Sequence, residues 1–471
     1  MTECRSERVR FHALGSREVR AGFDGGDISS DAGGLLLREV EKRTGIVERL
    51  AACFRDYRDP RWVEHSVVQL VAQRVYGLCL GYEDLNDHDE LRSDPLLAVL
   101  VEQSDTRGER RKRARDRGQA LAGKSTLNRL ELSPKEGAGR QVYKKIGRDE
   151  EAMDRLMVDV FLEAHPEAPA EIILDLDATD DPVHGSQEGR FFHGYYGHYC
   201  YLPLYIFCGE FLLGARLRPS NIDGAAGSVE ELDRIVGQIR ERWPHVRIII
   251  RADSGFCRDA ILSWCEAQPG VDYVIGLAKN SRLTGTLEPD LDRAEREFRR
   301  TGEAARRFRD FSYRTRQTWS RSRRVIGKAE YLARGRNPRF IVTSLPKTSH
   351  APADLYERLY CARGDMENRI KEQQLGLFAD RTSTATMQAN QLRLYFSSFA
   401  YILMQALRRL GLQGTELAHA QCTTIRLKLL KIGAQIRVTV RRVWIRMAAG
   451  YPGADLLARI LANLRKIPLR C

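Results

Sequence analysis

The sequence predicts an α/β fold: a mixed sheet flanked by helices, broken by a β-rich insertion, with a helical region before it and helices after it. Three observations carry this. Between residues 171 and 277, apolar runs (EIILDLDA, VRIIIRADSGF, VDYVIGLA) alternate with amphipathic stretches (SVEELDRIVGQIRERW, RDAILSWCEA), as strands layered against helices do. Upstream, residues 30–105 carry apolar residues at 3–4 spacing behind capping Ser and Asp residues. Across the 471 residues, 43% apolar and 30% charged side chains describe a chain that buries a core.

Taken in order, SSDAGGLLLREVEKRTGIVERLAACF opens the helical region, and SVVQLVAQRVYGLCLGYEDL predicts a second helix ending near Gly81. Residues 108–123 are polar and basic, a loop or arm, and a further helix is expected over 147–164 before Pro166 and Pro169. Residues 1–168 are therefore expected to form a mainly helical region, and 169–282 the first part of the core. Short β-like pieces (YRTRQTW, KAEYLA, RFIVTSL) mark residues 283–346 as a β-rich insertion. Residues 347–410 return to the core, and 411–471 are expected to be a basic helical region.

Lys and Arg outnumber Asp and Glu by 76 to 63, a net charge of +13. Three blocks concentrate it. Residues 107–117 hold seven basic and two acidic side chains, 296–324 hold eleven Arg against Glu297, Glu303 and Asp310, and 426–446 hold seven basic residues and no acid. A run of charge is ordinarily a solvated face, but three such blocks point to a polyanion, nucleic acid before anionic membrane. No apolar run of about 18 residues occurs and the first ten residues are charged, so a cytoplasmic chain with no membrane span is expected. The ten scattered cysteines include no CxxC pair and are expected as reduced thiols.

Gly118 to Ser125 fits G-x4-G-K-S letter for letter, yet RKRARDR precedes it where a phosphate-binding loop needs a buried strand, so no ATP site is expected. Three acids at element ends carry more. Period-two geometry puts Asp175 and Asp177 of EIILDLDAT on one face of a strand, and Asp253 ends VRIIIRAD. For a single strand-end Asp the ordinary role is a cap or turn. In LYCARGDMENRIKEQQLGL, Tyr360, Arg363, Glu367 and Lys371 line one helix stripe, which taken alone describes ordinary i,i+4 ion pairs. Two strand carboxylates and one helix carboxylate together suit a pair of Mg²⁺ ions, with Mn²⁺ as a substitute, acting on a phosphodiester.

At LDLDATDDPVHGSQEG, GYYGHYCYLPLY, IIIRADSGF and YCARGDMENRIKE the chain resembles the DDE transposases of bacterial insertion sequences. The resemblance implies an RNase H-like core with a β-rich insertion before the last acid. It selects Asp177 over Asp175 through an Asp-x-Thr pattern, and implies that Asp177, Asp253 and Glu367 are the catalytic metal ligands. The family's Tyr-x2-Arg-x3-Glu-x6-Lys is met by Tyr360, Arg363 and Glu367, but position 374 is Gln, with Lys371 one turn nearer. Tyr360, Arg363 and Lys371 are then expected at DNA phosphates. Trp319, in the insertion, is expected either to stack on an extruded base or to be a buried structural ring. The implied activity is cut-and-paste transposition: cleavage at terminal inverted repeats, then attack of the 3′-hydroxyl on target DNA by a synaptic homodimer. The alternative is a domesticated or inactive relative that only binds DNA.

Overall fold

The computed structural model describes residues 9–135 and 145–470. The chain divides into two compact units, one formed by Glu150–Leu375 with Ala379–Ser398, the other by Met1–Asp149, Gly376–Phe378 and Phe399–Cys471. No helix among the described residues is long and apolar enough to cross a membrane.

In the first of these, helix α1 (Glu150–Glu163) precedes strand β1 (Glu171–Ala178). Strand β2 (Leu204–Cys208) lies antiparallel to β1 and turns at Gly209, whose φ of 56° favours glycine, into β3 (Phe211–Arg216). Helix α2 (Ser228–Arg242) leads to β4 (Arg247–Ala252), parallel to β1, and helix α3 (Asp259–Ala267) to β5 (Val271–Leu277), parallel to β4. The strand order β3-β2-β1-β4-β5, antiparallel on one side of β1 and parallel on the other, is the expected RNase H-like core.

The stretch expected as a β-rich insertion starts otherwise. It opens with a 21-residue helix, α4 (Ser281–Thr301), which buries Leu283, Leu287, Leu291 and Ala294 on one side. Its strands β6 (Ala305–Tyr313), β7 (Arg323–Leu332) and β8 (Arg339–Thr343) continue the same sheet, because β8 pairs antiparallel with β5. The sheet separates two cores. Leu174, Leu176, Ile248, Ile250 and Ile275 pack under α2 and α3, with Leu232, Ile235 and Leu262. On the opposite face Ile249, Val274, Ile326 and Ile341 pack with Leu355 and Tyr356 of the segment leading to helix α5 (Gly364–Lys371). Alternation therefore turns Asp175, Asp177 and Arg251 toward the face on which that segment lies.

In the other unit the helix Val67–Leu80 begins with a capping box of Ser66 and Gln69 and ends at Gly81, φ 97°, where the sequence places its end. The segment 118–125 has no strand before it; Asp89 Oδ1 accepts the Lys124 N–H at 2.9 Å at the start of the helix Lys124–Glu131. The C-terminal region has its expected helices, at Cys422–Ile425 and Ala454–Arg465, but departs from the helical expectation between them. Strands β9 (Ala434–Val438) and β10 (Val443–Met447) form an antiparallel hairpin, and β9 also pairs with the strand Asp27–Ser29. The cause is local: IRVTVRRVWIR alternates β-branched and polar residues with period two, which favours a strand despite its basic charge. Cys53, Cys79, Cys200, Cys208, Cys257, Cys265 and Cys361 are thiols outside any disulfide, the Cys422 sulfur accepts from Arg408 at 3.7 Å, and Cys4 and Cys471 lie outside the described residues.

Candidate active site

Parallel pairing aligns Asp175 with Arg251 and Leu176 with Ala252. One position further on come Asp177, near the carboxyl end of β1, and Asp253, the first residue after β4. The crevice beyond strand carboxyl ends is where open α/β sheets bind ligands. Asp177 Oδ1 accepts its neighbour Ala178's N–H at 3.0 Å. Asp253 Oδ1 accepts from Gly255 N–H at 2.8 Å, capping the turn after β4. It thus fills the ordinary turn-forming role through one of its two oxygens.

Asp175 and Asp177 share a face but not an environment. The buried Asp175 receives a two-pronged bond from Arg251, at 2.5 and 2.7 Å, and the third nitrogen of that guanidinium donates to the Leu359 carbonyl at 2.6 Å. Arg251 therefore ties β4 to the backbone one residue before Tyr360. Asp177 has no such partner. Burial pushes its carboxyl up to about 7; Arg363 opposes the shift, and Asp253 and Glu367 add to it.

Tyr360 and Arg363 sit on wide and then tight helical turns, Leu355–Tyr360 and Cys361–Arg363, just before α5. Arg363 is the hub. It bonds Glu367 at 2.7 Å and stands 3.6 Å from Asp177 Oδ2, so one guanidinium bridges the strand acid and the helix acid. Among the described residues no three His, Cys, Asp or Glu stand close enough to form a ready metal cage; Arg363 lies between two of the acids. Burial raises the Tyr360 hydroxyl's pKa, and Asp253 adds to this while Arg363 opposes it.

The structure brings Asp177, Asp253, Glu367, Tyr360 and Arg363 together. Lys371 is exposed and forms no ion pair among the described residues, and Gln374 donates to the Asp180 carbonyl at 3.1 Å. Trp319 is elsewhere. It is 4% exposed, packed edge-on to Tyr313 with Arg323 over its ring, which is the structural role and not the surface position that base stacking needs. Two residues went unnoticed in the sequence. Arg251 was a charge following three isoleucines near the buried end of β4. Gly276 was a lone glycine in β5: a Cβ there would lie 2.6 Å from the Tyr360 hydroxyl and 2.8 Å from the Ser254 nitrogen.

With this arrangement in view, comparison with known proteins is informative. The family described as transposase DDE domain group 1 matches residues 11–469. The chain belongs to that family. A search of curated proteins gives no match. Among solved structures, a cryo-EM structure titled as the piggyBac transposase synaptic complex with hairpin DNA is similar at 9% identity and a TM-score of 0.41, covering 93% of this chain and 82% of that one. Membership of a DDE transposase family implies nuclease and strand-transfer chemistry.

Proposed function

We propose that this DDE transposase serves an insertion sequence and moves it by cut-and-paste, with Asp177, Asp253 and Glu367 as its catalytic acids. The observation that supports the reading is the pairing of Leu176 with Ala252, the residues just before Asp177 and Asp253, together with the Arg363 bridge from Asp177 to Glu367. The donor set suits Mg²⁺ or Mn²⁺: every donor is a hard carboxylate oxygen, and the half-buried Asp177 has Asp253 and Glu367 near it, with Arg363 as the cation that now faces them. These three residues would hold the two ions, which supply Lewis acidity to the attacking and departing oxygens of phosphodiester exchange.

The chain's own side chains do the positioning. Arg363, released from its carboxylates, offers a phosphate a two-pronged contact, and Tyr360 adds a hydroxyl beside it. Lys371, one turn on, adds positive charge. At an element end a water oxygen bonds to phosphorus as the P–O3′ bond breaks, leaving a 3′-hydroxyl and a 5′-phosphate. That hydroxyl then bonds to a target phosphorus, and the target's own P–O3′ bond breaks. Terminal inverted repeats and target duplex are the substrates, held by a homodimer.

The test is nicking of a supercoiled plasmid carrying the element's ends, with Mg²⁺ or Mn²⁺ present. Asp177→Asn, Asp253→Asn and Glu367→Gln are each expected to abolish nicking while DNA binding persists. Full nicking by any one of them removes that residue from the site. A wild-type protein that binds the ends and never nicks them is the DNA-binding relative without chemistry.

A further inference from the structure

The three basic blocks look alike in sequence, but the fold treats them differently. The block 296–324 is largely neutralised within its own unit: Arg299 pairs with Glu295, Arg306 with Glu357, Arg307 with Glu297, Arg309 with Asp290, Arg323 with Asp259, and Arg324 with Asp310, at 2.5–2.9 Å. The block 107–117 is partly neutralised, by Asp27 at Arg107 and Glu64 at Arg111. The hairpin β9–β10 is not. Arg437, Arg441, Arg442 and Arg446 are exposed and form no ion pair among the described residues.

Register explains what the hairpin presents. Gln435 stands opposite Arg446 and Arg437 opposite Trp444, so these four side chains share one face. All four are exposed, Trp444 by 47%, and the Arg442 guanidinium lies 5.6 Å from the Trp444 ring centre. The reverse face, Ala434, Ile436, Val438, Ile445 and Met447, packs onto Ala32 and Leu96. The basic face is therefore anchored to a core and preorganised. Gln435, Arg437, Arg446 and Arg107 line a cleft of about 340 Å³ beside it, where the one acid, Asp27, is already held by Arg107 at 2.9 Å.

The geometry points to this face as a docking surface for duplex DNA, with Arg437, Arg442 and Arg446 on backbone phosphates and Trp444 packed against the sugar edge. Charge complementarity carries the assignment: unpaired guanidinium groups on a rigid sheet, next to an exposed aromatic, match a regular polyanion. For its ligand this rests on the transposase reading.

The experiment is fluorescence anisotropy of the full chain with a labelled duplex, between 50 and 200 mM salt. The triple variant Arg437→Gln, Arg442→Gln, Arg446→Gln is expected to lose at least about tenfold in affinity at the low-salt end and to flatten the log–log salt slope by roughly 2–3. Trp444→Ala is expected to weaken binding with the slope unchanged. The control Arg299→Gln, Arg307→Gln, in the neutralised block, is expected to change the slope by less than about 1. An unchanged slope in the triple variant, or an equal loss in the control, overturns the assignment. A wild-type protein that binds no duplex overturns the transposase reading itself, a result distinguishable from either.

Discussion

Asp175 and Asp177 are two residues apart on one face of one strand, yet substitution should separate them by opposite readouts. Asp175→Ala leaves the buried Arg251 unpaired and loosens its hold on the Leu359 carbonyl, so it should cost about 3–5 kcal/mol in urea unfolding. Asp177→Asn removes a carboxyl that burial and its neighbours already disfavour as an anion, so the metal-free unfolding midpoint should not fall although nicking is lost. Gly276→Ala probes the site from behind. The added methyl meets the Tyr360 hydroxyl and the backbone at Ser254, so the turn carrying Asp253 must shift. The expected result is a strong loss of nicking with only about 1–3 kcal/mol of destabilisation. Normal nicking would mean the turn accommodates the methyl without moving Asp253.

Among the elements, those with clean periodicity were legible: β1, β4, β5, α2 and α3 lie where alternating and amphipathic patterns put them. Helix α4 was not, although Leu283, Leu287 and Leu291 recur at a spacing of four. Pro289 and the dense charge around them obscured the stripe, and the proline is accommodated on the exposed side. The hairpin β9–β10 was missed because basic charge was given more weight than its period of two. Trp319 illustrates the same difficulty with a single residue, since an aromatic in a loop carries no local sign of burial. Trp319→Ala should cost about 3–5 kcal/mol in unfolding and leave duplex affinity at fixed salt unchanged for the folded protein. A stable variant with weakened DNA binding would return the ring to the DNA.

For the molecule as a whole, acid sensitivity should originate in the unit containing the N-terminal helices. Burial and then Arg111 push His65 down to about 4, and burial and then Arg74 push His88 down to about 3. Both stay neutral in the fold at pH values where an unfolded histidine, titrating near 6.5, binds a proton. The unfolded state thus takes up protons that the native state refuses. Their contribution is fully present above about pH 6.5 and is lost as pH falls toward about 4, by up to roughly 3 kcal/mol for His65. Urea midpoints measured from pH 7 to 4 should fall accordingly, and His65→Gln should flatten that slope; an unchanged slope would assign the acid sensitivity to other groups.

By itself the sequence determined the order of strands and helices in the core, the places of Asp253 and Glu367, and the family to which those motifs belong. These follow from local period and residue type, which a linear text records. Tertiary structure decided which strand aspartate is neutralised by Arg251, that Arg363 stands between Asp177 and Glu367, that β6 to β8 extend the core sheet, and which arginines remain unpaired. Most of these turn on partners far apart in the chain, Asp175 from Arg251 by 76 residues for one. A charge has its effect only relative to what stands beside it, and only the folded chain sets that neighbour.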